Sequence, residues 1–391
     1  MSTSNPDQSP HRRFHEDSPT GRGLRFERTR PAHRQPFRPL PPPTGTSPFH
    51  LSLDEVLPPE QTQAINASRR LVFHIVGDTG GVKSPQPQQI VAMHMERDFE
   101  LHDRGSRPSF FYHLGDVVYY YGQATEYYPQ FYEPYIHYPA PIFAIPGNHD
   151  GDLPPQSTQG VRSLDAFVRN FCAETPHVTP EAKDVPRDAM TQPNVYWTLE
   201  APFVTIIGLY TNVPEGGELD NDQIAWFHSE LHSAPQDKAL LVAMHHPIYS
   251  ADAHHGGSEY MGEVLDQAIA NTGRTPDAIF TAHVHNYQRF THRRENREVP
   301  YIVAGAGGYW HLHYVAKHLG MKVQTPFTTE DPSVTLESYC DDRHGYLRLE
   351  VGARTLRGSY FALPRLQEHW RDPAQQVDTF TLDLRRHRLV R

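Results

Sequence analysis

Sulfur is nearly missing from this chain. Cys172 and Cys340 are its only cysteines among 391 residues. Two thiols build neither a disulfide framework nor a sulfur-rich metal site, and they fit a reducing compartment at least as well as any other. Long apolar runs are missing too: none approaches the roughly 20 residues that a membrane span requires. No hydrophobic core of a signal peptide follows Met1-Ser-Thr-Ser-Asn-Pro-Asp7. Positive charge is in deficit, with a formal net charge of −10. That removes any general electrostatic case for nucleic acid or an anionic membrane as partner. A period of roughly 20–50 residues, the mark of a repeat architecture, is not evident. These absences lead us to expect a cytoplasmic, soluble protein with no nucleic-acid and no membrane partner, and leave its oligomeric state open.

What is present is a strand pattern. Residues 1–65 are rich in Pro, Arg, Ser and Thr without periodicity, including Pro41-Pro-Pro43. Such a segment buries too little apolar area to offset its ordering entropy and is expected to be flexible, with the ordered fold starting near Leu71. Residues 66–391 are then expected to form one domain. Five apolar runs within it end alike: Leu71 to Asp78, Phe110 to Asp116, Pro141 to Asn148, Ala239 to His245, and Ala278 to His283 and His285. A buried strand that delivers a polar side chain just beyond its C-terminal end places a ligand at the rim of a parallel sheet.

Between the runs, helical periodicity covers 88–102, a short segment after Ser163, 220–233 and 260–271, while 172–194 reads as an irregular insertion. Gly345 to Val351 and Leu356 to Phe361 alternate as antiparallel strands do. Helices alternating with strands, followed by antiparallel strands, predict a mixed α/β architecture of two facing sheets under helical layers.

The strand-end groups are Asp78, Asp116, Tyr119, Asn148, His245, His283 and His285. This all-oxygen-and-nitrogen set suits Fe, Zn or Mn and is poorly suited to Cu(I) or iron–sulfur chemistry. Seven donors exceed the needs of one tetrahedral ion and suit two ions sharing a carboxylate. His74 and His113, at mid-strand, read as core histidines or supports of the site.

The ordered set Gly77-Asp78-Thr79-Gly80, Gly115-Asp116-Val-Val-Tyr119, Gly147-Asn148-His149-Asp150, Val242-Ala-Met-His245 and Ala282-His283-Val-His285 resembles the five motifs of purple acid phosphatases. Those enzymes belong to the calcineurin-like metallophosphoesterase superfamily. Gly80 stands where the wider superfamily carries a metal-binding histidine, and Tyr119 is the purple acid phosphatase variation; Ala282 replaces the usual glycine.

The resemblance implies an αββα sandwich of two mixed sheets flanked by helices. It implies Fe(III) on Asp78, Tyr119 and His285, a divalent Fe, Zn or Mn on Asn148, His245 and His283, and Asp116 bridging. It also implies His149, His254 and His255 as catalytic histidines, and a small phosphate monoester hydrolysed by hydroxide held on the metals. A phosphodiesterase, a phosphoprotein or nucleotide phosphatase, and a catalytically weak scaffold remain alternatives. Gly305-Ala-Gly-Gly308 lacks the lysine of a P-loop and is expected to be a turn that brings backbone close to the site.

Overall fold

The computed structural model describes residues 36–155 and 161–390. In chain order the first strands are β1 (His50–Ser52), β2 (Leu71–Val76), β3 (Phe111–His113) and β4 (Ile142–Ala144). Next come β5 (Trp197–Ala201), β6 (Val204–Gly208), β7 (Ala239–Ala243) and β8 (Ala278–Thr281). The later strands are β9 (Tyr287–Arg294), β10 (Arg297–Ala304), β11 (Phe327–Thr328) and β12 (Val334–Cys340). The chain finishes with β13 (Gly345–Val351), β14 (Thr355–Ala362), β15 (Gln375–Asp383) and β16 (Arg388–Leu389). The α-helices are α1 (Pro59–Ser68), α2 (Gln86–Leu101), α3 (Asn148–Gly151), α4 (Asp165–Phe171), α5 (Asn221–Ser233) and α6 (Glu259–Thr272).

Two mixed sheets result. One has the order β1-β5-β6-β7-β8-β10-β9-β12-β11 and the other β16-β15-β14-β13-β2-β3-β4. In the first, β6, β7, β8 and β10 run parallel; in the second, β2, β3 and β4 do. The sheets face each other through one apolar cluster. Phe73, Ile75, Phe110 and Phe143 of the second sheet meet Trp197, Ile206, Leu241 and Phe280 of the first.

Side-chain alternation explains why β2 is buried on both faces. Phe73 and Ile75 point into the inter-sheet core, while His74 and Val76 lie on the opposite face. There His74 Nε2 meets Asp98 Oδ2 of α2 at 3.0 Å, and Arg348 Nε of β13 meets the same oxygen at 3.0 Å. His74 is therefore a core histidine that ties α2 to its sheet, remote from the strand-end groups.

The helical segments follow their signals. Asp220 caps α5 by accepting from Gln223 N, and Ser258 caps α6 by accepting from Met261 N. Gly273 closes α6 in the left-handed conformation. Ser163 does not cap α4: Leu164 holds that position, and the Ser163 hydroxyl donates instead to Gly151 O at 2.7 Å.

The fold also starts earlier than Leu71. Strand β1 pairs in parallel with β5, and the segment before it is pinned by side chains. Arg38 N donates to Asn212 Oδ1, and Asn212 Nδ2 returns a bond to Arg38 O, both at 2.9 Å. Trp226 Nε1 donates to Pro48 O at 2.7 Å. A three-residue edge strand carries no readable period, so polar anchors order what composition alone marks as flexible. The arginines of the expected tail up to Arg34 lie outside the described residues. Among the described residues no helix is long and apolar enough to cross a membrane.

His50 Nε2 lies 2.7 Å from Glu230 Oε2, joining β1 to α5. The hydrogen bond to Glu230 raises the His50 pKa above its ordinary 6.5, against the opposing effect of burial. A raised folded-state value stabilises fully below 6.5 and is lost as pH climbs through that higher value. The loss of thermal midpoint in His50→Ala should therefore be largest at acid pH and shrink towards alkaline pH in a melting series. The pair is partly exposed, so the full effect is at most about 1 kcal/mol.

Candidate metal centre

All seven strand-end groups converge at one rim, where the C-terminal ends of the parallel strands of both sheets meet. Asp78 follows β2, Asp116 and Tyr119 follow β3, and Asn148 follows β4; His245 follows β7, while His283 and His285 follow β8. Asp78, Asp116 and His283 adopt positive φ angles of 55°, 55° and 67°. Non-glycine residues seldom occupy this left-handed region, and strain of this kind collects at functional sites.

The donors fall into two sets. In one, Tyr119 Oη is 3.2 Å from Asp78 Oδ1 and 3.4 Å from His285 Nε2, and His285 Nε2 is 3.6 Å from Asp78 Oδ1. In the other, Asn148 Oδ1 is 3.1 Å from His245 Nε2 and 3.0 Å from His283 Nδ1. Asp116 stands between them: its Oδ2 is 3.4 Å from His245 Nε2, and Asp78, Asp116 and His245 offer donor atoms within 4.8 Å of one another. Neighbouring ligands of one ion, each about 2.1 Å from it, are themselves about 3 Å apart, so each set fits a single cation.

The imidazoles are turned to suit. His245 Nδ1 donates to Leu114 O at 2.9 Å, which leaves the Nε2 lone pair for the centre. His285 Nδ1 donates to His311 O at 3.1 Å with the same result. The local charge also favours a cation. Burial opposes a proton on His245, yet Asp116 and Asp78 override it and raise the pKa to about 9. Burial, then the Asp78 carboxylate, raises the Tyr119 phenol above its ordinary range, so only a strong cation would hold it as phenolate.

A model of the calcineurin-like phosphoesterase family matches residues 71–287, more than half of the chain and the whole span from β2 through the donors. The chain belongs to the calcineurin-like phosphoesterase family. Within it, Purple acid phosphatase 21 of Arabidopsis thaliana is 30% identical over 128 residues, 31% of this chain and 28% of that protein. Purple acid phosphatase 22 of the same plant is 27% identical over 130 residues, 31% and 29% of the two chains. The chain thus spans less than a third of the length of the curated relatives it matches.

Solved structures share the fold, two of them as follows. The purple acid phosphatase PPD1 from yellow lupin (Lupinus luteus) seeds gives a TM-score of 0.56 at 19% identity, over 80% of this chain and 54% of that one. GAP50, the anchor in the inner membrane complex of Plasmodium, gives 0.52 at 12% identity, over 80% and 89%.

Steric fit in this calcineurin-like chain explains one sequence departure and bears out one expected turn. A Cβ at Gly80 would lie 2.7 Å from Tyr119 Cδ2, so the tyrosine ring fills the space where the superfamily's histidine would start. Gln130 fixes the backbone that carries that ring by accepting from Tyr119 N at 2.9 Å and donating to Tyr119 O at 3.1 Å. A Cβ at Gly305 would lie 2.6 Å from Asp78 Oδ2, so the Gly305–Gly308 turn does bring backbone against the site.

The remaining histidines divide by depth. His113 is buried, accepting at Nδ1 from Gly115 N at 3.1 Å and meeting Thr79 Oγ1 at 2.8 Å through Nε2. Burial lowers its pKa to about 3, so it stays neutral and braces the two aspartate loops. His246 turns away to Thr211 Oγ1 at 2.8 Å. His149 donates its backbone N–H to Asp116 Oδ1 at 2.9 Å and its Nδ1 to Tyr120 O at 3.0 Å. His254 and His255 sit at the rim, with both backbone N–H groups held by Asp252 Oδ2. The His255 ring is 4.8 Å from that of His283, whereas His254 neighbours His313 at 5.4 Å.

Sequence reasoning missed three groups. Asp150 accepts from Gly147 N, Val117 N and Val118 N, binding the Asp116 loop to the Asn148 loop. His313 stacks 4.3 Å from His285, and Glu215 contacts both His255 and His283. The close spacing of Tyr309-Trp-His-Leu-His313 was a usable signal for the second; Glu215 had none.

Proposed function

We propose that this chain is a dinuclear metal-dependent phosphatase acting on small phosphate monoesters. The observation that carries the reading is the pair of three-donor sets with the Asp116 carboxylate between them. In this reading Asp78, Tyr119 and His285 would hold Fe(III), Asn148, His245 and His283 would hold a divalent Fe, Zn or Mn, and Asp116 would serve both. Such ions, when bound, supply positive charge against the phosphate and activate water as the nucleophile.

The chain's own groups do the rest. Asp150 and Gln130 keep the donor loops in register, so little reorganisation is needed on loading. His149, His254 and His255 border the centre and are the groups able to give the leaving alkoxide its proton. His149 keeps its ring fixed through Tyr120 O, with Nε2 as the nitrogen left to act.

The test is turnover of p-nitrophenyl phosphate against bis(p-nitrophenyl) phosphate by the purified chain, with metal content determined in parallel. Preferential turnover of the monoester with about two ions per chain is expected. Preference for the diester would replace the substrate class, and no turnover of either by loaded protein would favour a binding role.

A further inference from the structure

Three imidazoles of the centre turn one nitrogen towards the other donors, and each needs its opposite nitrogen held. For His245 and His285 a backbone carbonyl does this. His283 is different. Its Nδ1 lies 3.0 Å from Asn148 Oδ1, and its Nε2 meets a side chain, Glu215 Oε1, at 3.5 Å, the outer limit of a hydrogen bond. The same oxygen is 3.1 Å from Nδ1 of His255.

The carboxylate is held in place by its backbone. Gly216 and Gly217 take φ angles of 83° and 79°, and Gly217 N donates to Pro214 O at 2.8 Å, closing a tight turn. Gly216 O in turn accepts from the hydroxyl of Ser258, the cap of α6. Glu215 is therefore a partly exposed side chain on a fixed turn, not a freely moving surface acid.

We propose that Glu215 is a positioning residue that sets the tautomers of two histidines at once. Glu215 Oε1 and Asn148 Oδ1 can both only accept, so without an ion they compete for the His283 proton. With the divalent ion on Asn148 Oδ1, contact with Glu215 would hold that proton on Nε2 and leave the Nδ1 lone pair for the ion. The same contact keeps a proton on His255 Nδ1 and leaves Nε2 as its exchangeable nitrogen. One acidic side chain thus couples the occupancy of the divalent position to the orientation of a rim histidine. The inference rests on the dinuclear reading above, and it adds a carboxylate–histidine–metal relay to it.

The test compares the parent chain with Glu215→Gln and Glu215→Ala. In metal-stripped protein, imidazole 15N correlation spectra should show His255 as the Nδ1–H tautomer in the parent and a mixture in both variants. In a Zn(II) titration against a chromophoric chelator, the weaker of two sites should lose about 10–100-fold in affinity while the tighter site is unchanged. An unchanged tautomer with both affinities at the parent level would overturn the proposal. So would loss of both sites with a lowered unfolding midpoint, which would make Glu215 a structural residue. A parent that binds fewer than two ions would defeat the phosphatase reading instead, and the metal-free tautomer spectra would still decide the role of Glu215.

Discussion

Asp116→Asn should leave a folded protein that retains neither its full metal complement nor its activity. Asparagine preserves the size of the side chain and an oxygen to accept from His149 N, so the backbone contact at 2.9 Å survives and far-UV circular dichroism should not change. What is lost is the negative charge between the two donor sets, beside His245 Nε2 at 3.4 Å. An outer partner of a ligand typically costs 10–100-fold when removed. A carboxylate serving two ions should cost more, so kcat/KM for p-nitrophenyl phosphate should fall by at least about 10³-fold. Metal analysis after gel filtration should show both ions reduced together. Full activity with two ions retained would show that Asp116 bridges nothing.

Tyr119→Phe should remove the visible absorption altogether. If the phenolate ligates Fe(III), the parent should show a broad band at about 500–600 nm from tyrosinate-to-iron charge transfer, and phenylalanine offers no donor to produce it. The ring should keep its place, since its packing against His149 and Tyr309, at centroid distances of 4.7 and 4.5 Å, does not involve the hydroxyl. Hydrolysis should therefore decline by less than about 100-fold, because Asp78 and His285 remain. A band that persists in Tyr119→Phe would remove tyrosine from the iron. A colourless parent carrying two zinc or manganese ions would keep the hydrolase and discard Fe(III).

The two sheets and the convergence of the strand-end donors were legible because buried parallel strands write themselves as short apolar runs. Asp78, Asp116, Asn148, His245 and His283 each follow such a run, and chain direction alone then brings them to one rim. The alternation in Gly345–Val351 likewise announced β13. Strand β1 was not legible, because three residues carry no period and its order comes from Glu230, Asn212 and Trp226, which are remote in sequence. Strands β9 and β12 were hidden for another reason: Arg293 and Arg294 at the end of β9 and Glu337 in the middle of β12 make them look like solvent-facing loop. Glu215 was invisible because nothing in Pro-Glu-Gly-Gly says that a turn will be fastened to a helix cap some 40 residues on.

The division of donors between the sheets bears on how long the protein lasts. Asp78, Asp116, Tyr119 and Asn148 belong to one sheet, and His245, His283 and His285 to the other. Ions held by both would rivet the seam along which the sandwich must open before a protease can reach its core. A ligand that binds only the folded state stabilises it by RT ln(1 + [L]/Kd), about 4 kcal/mol at a thousandfold excess over Kd. Metal supply would then govern turnover as well as catalysis, and chains left unloaded in a starved cell would be the first degraded.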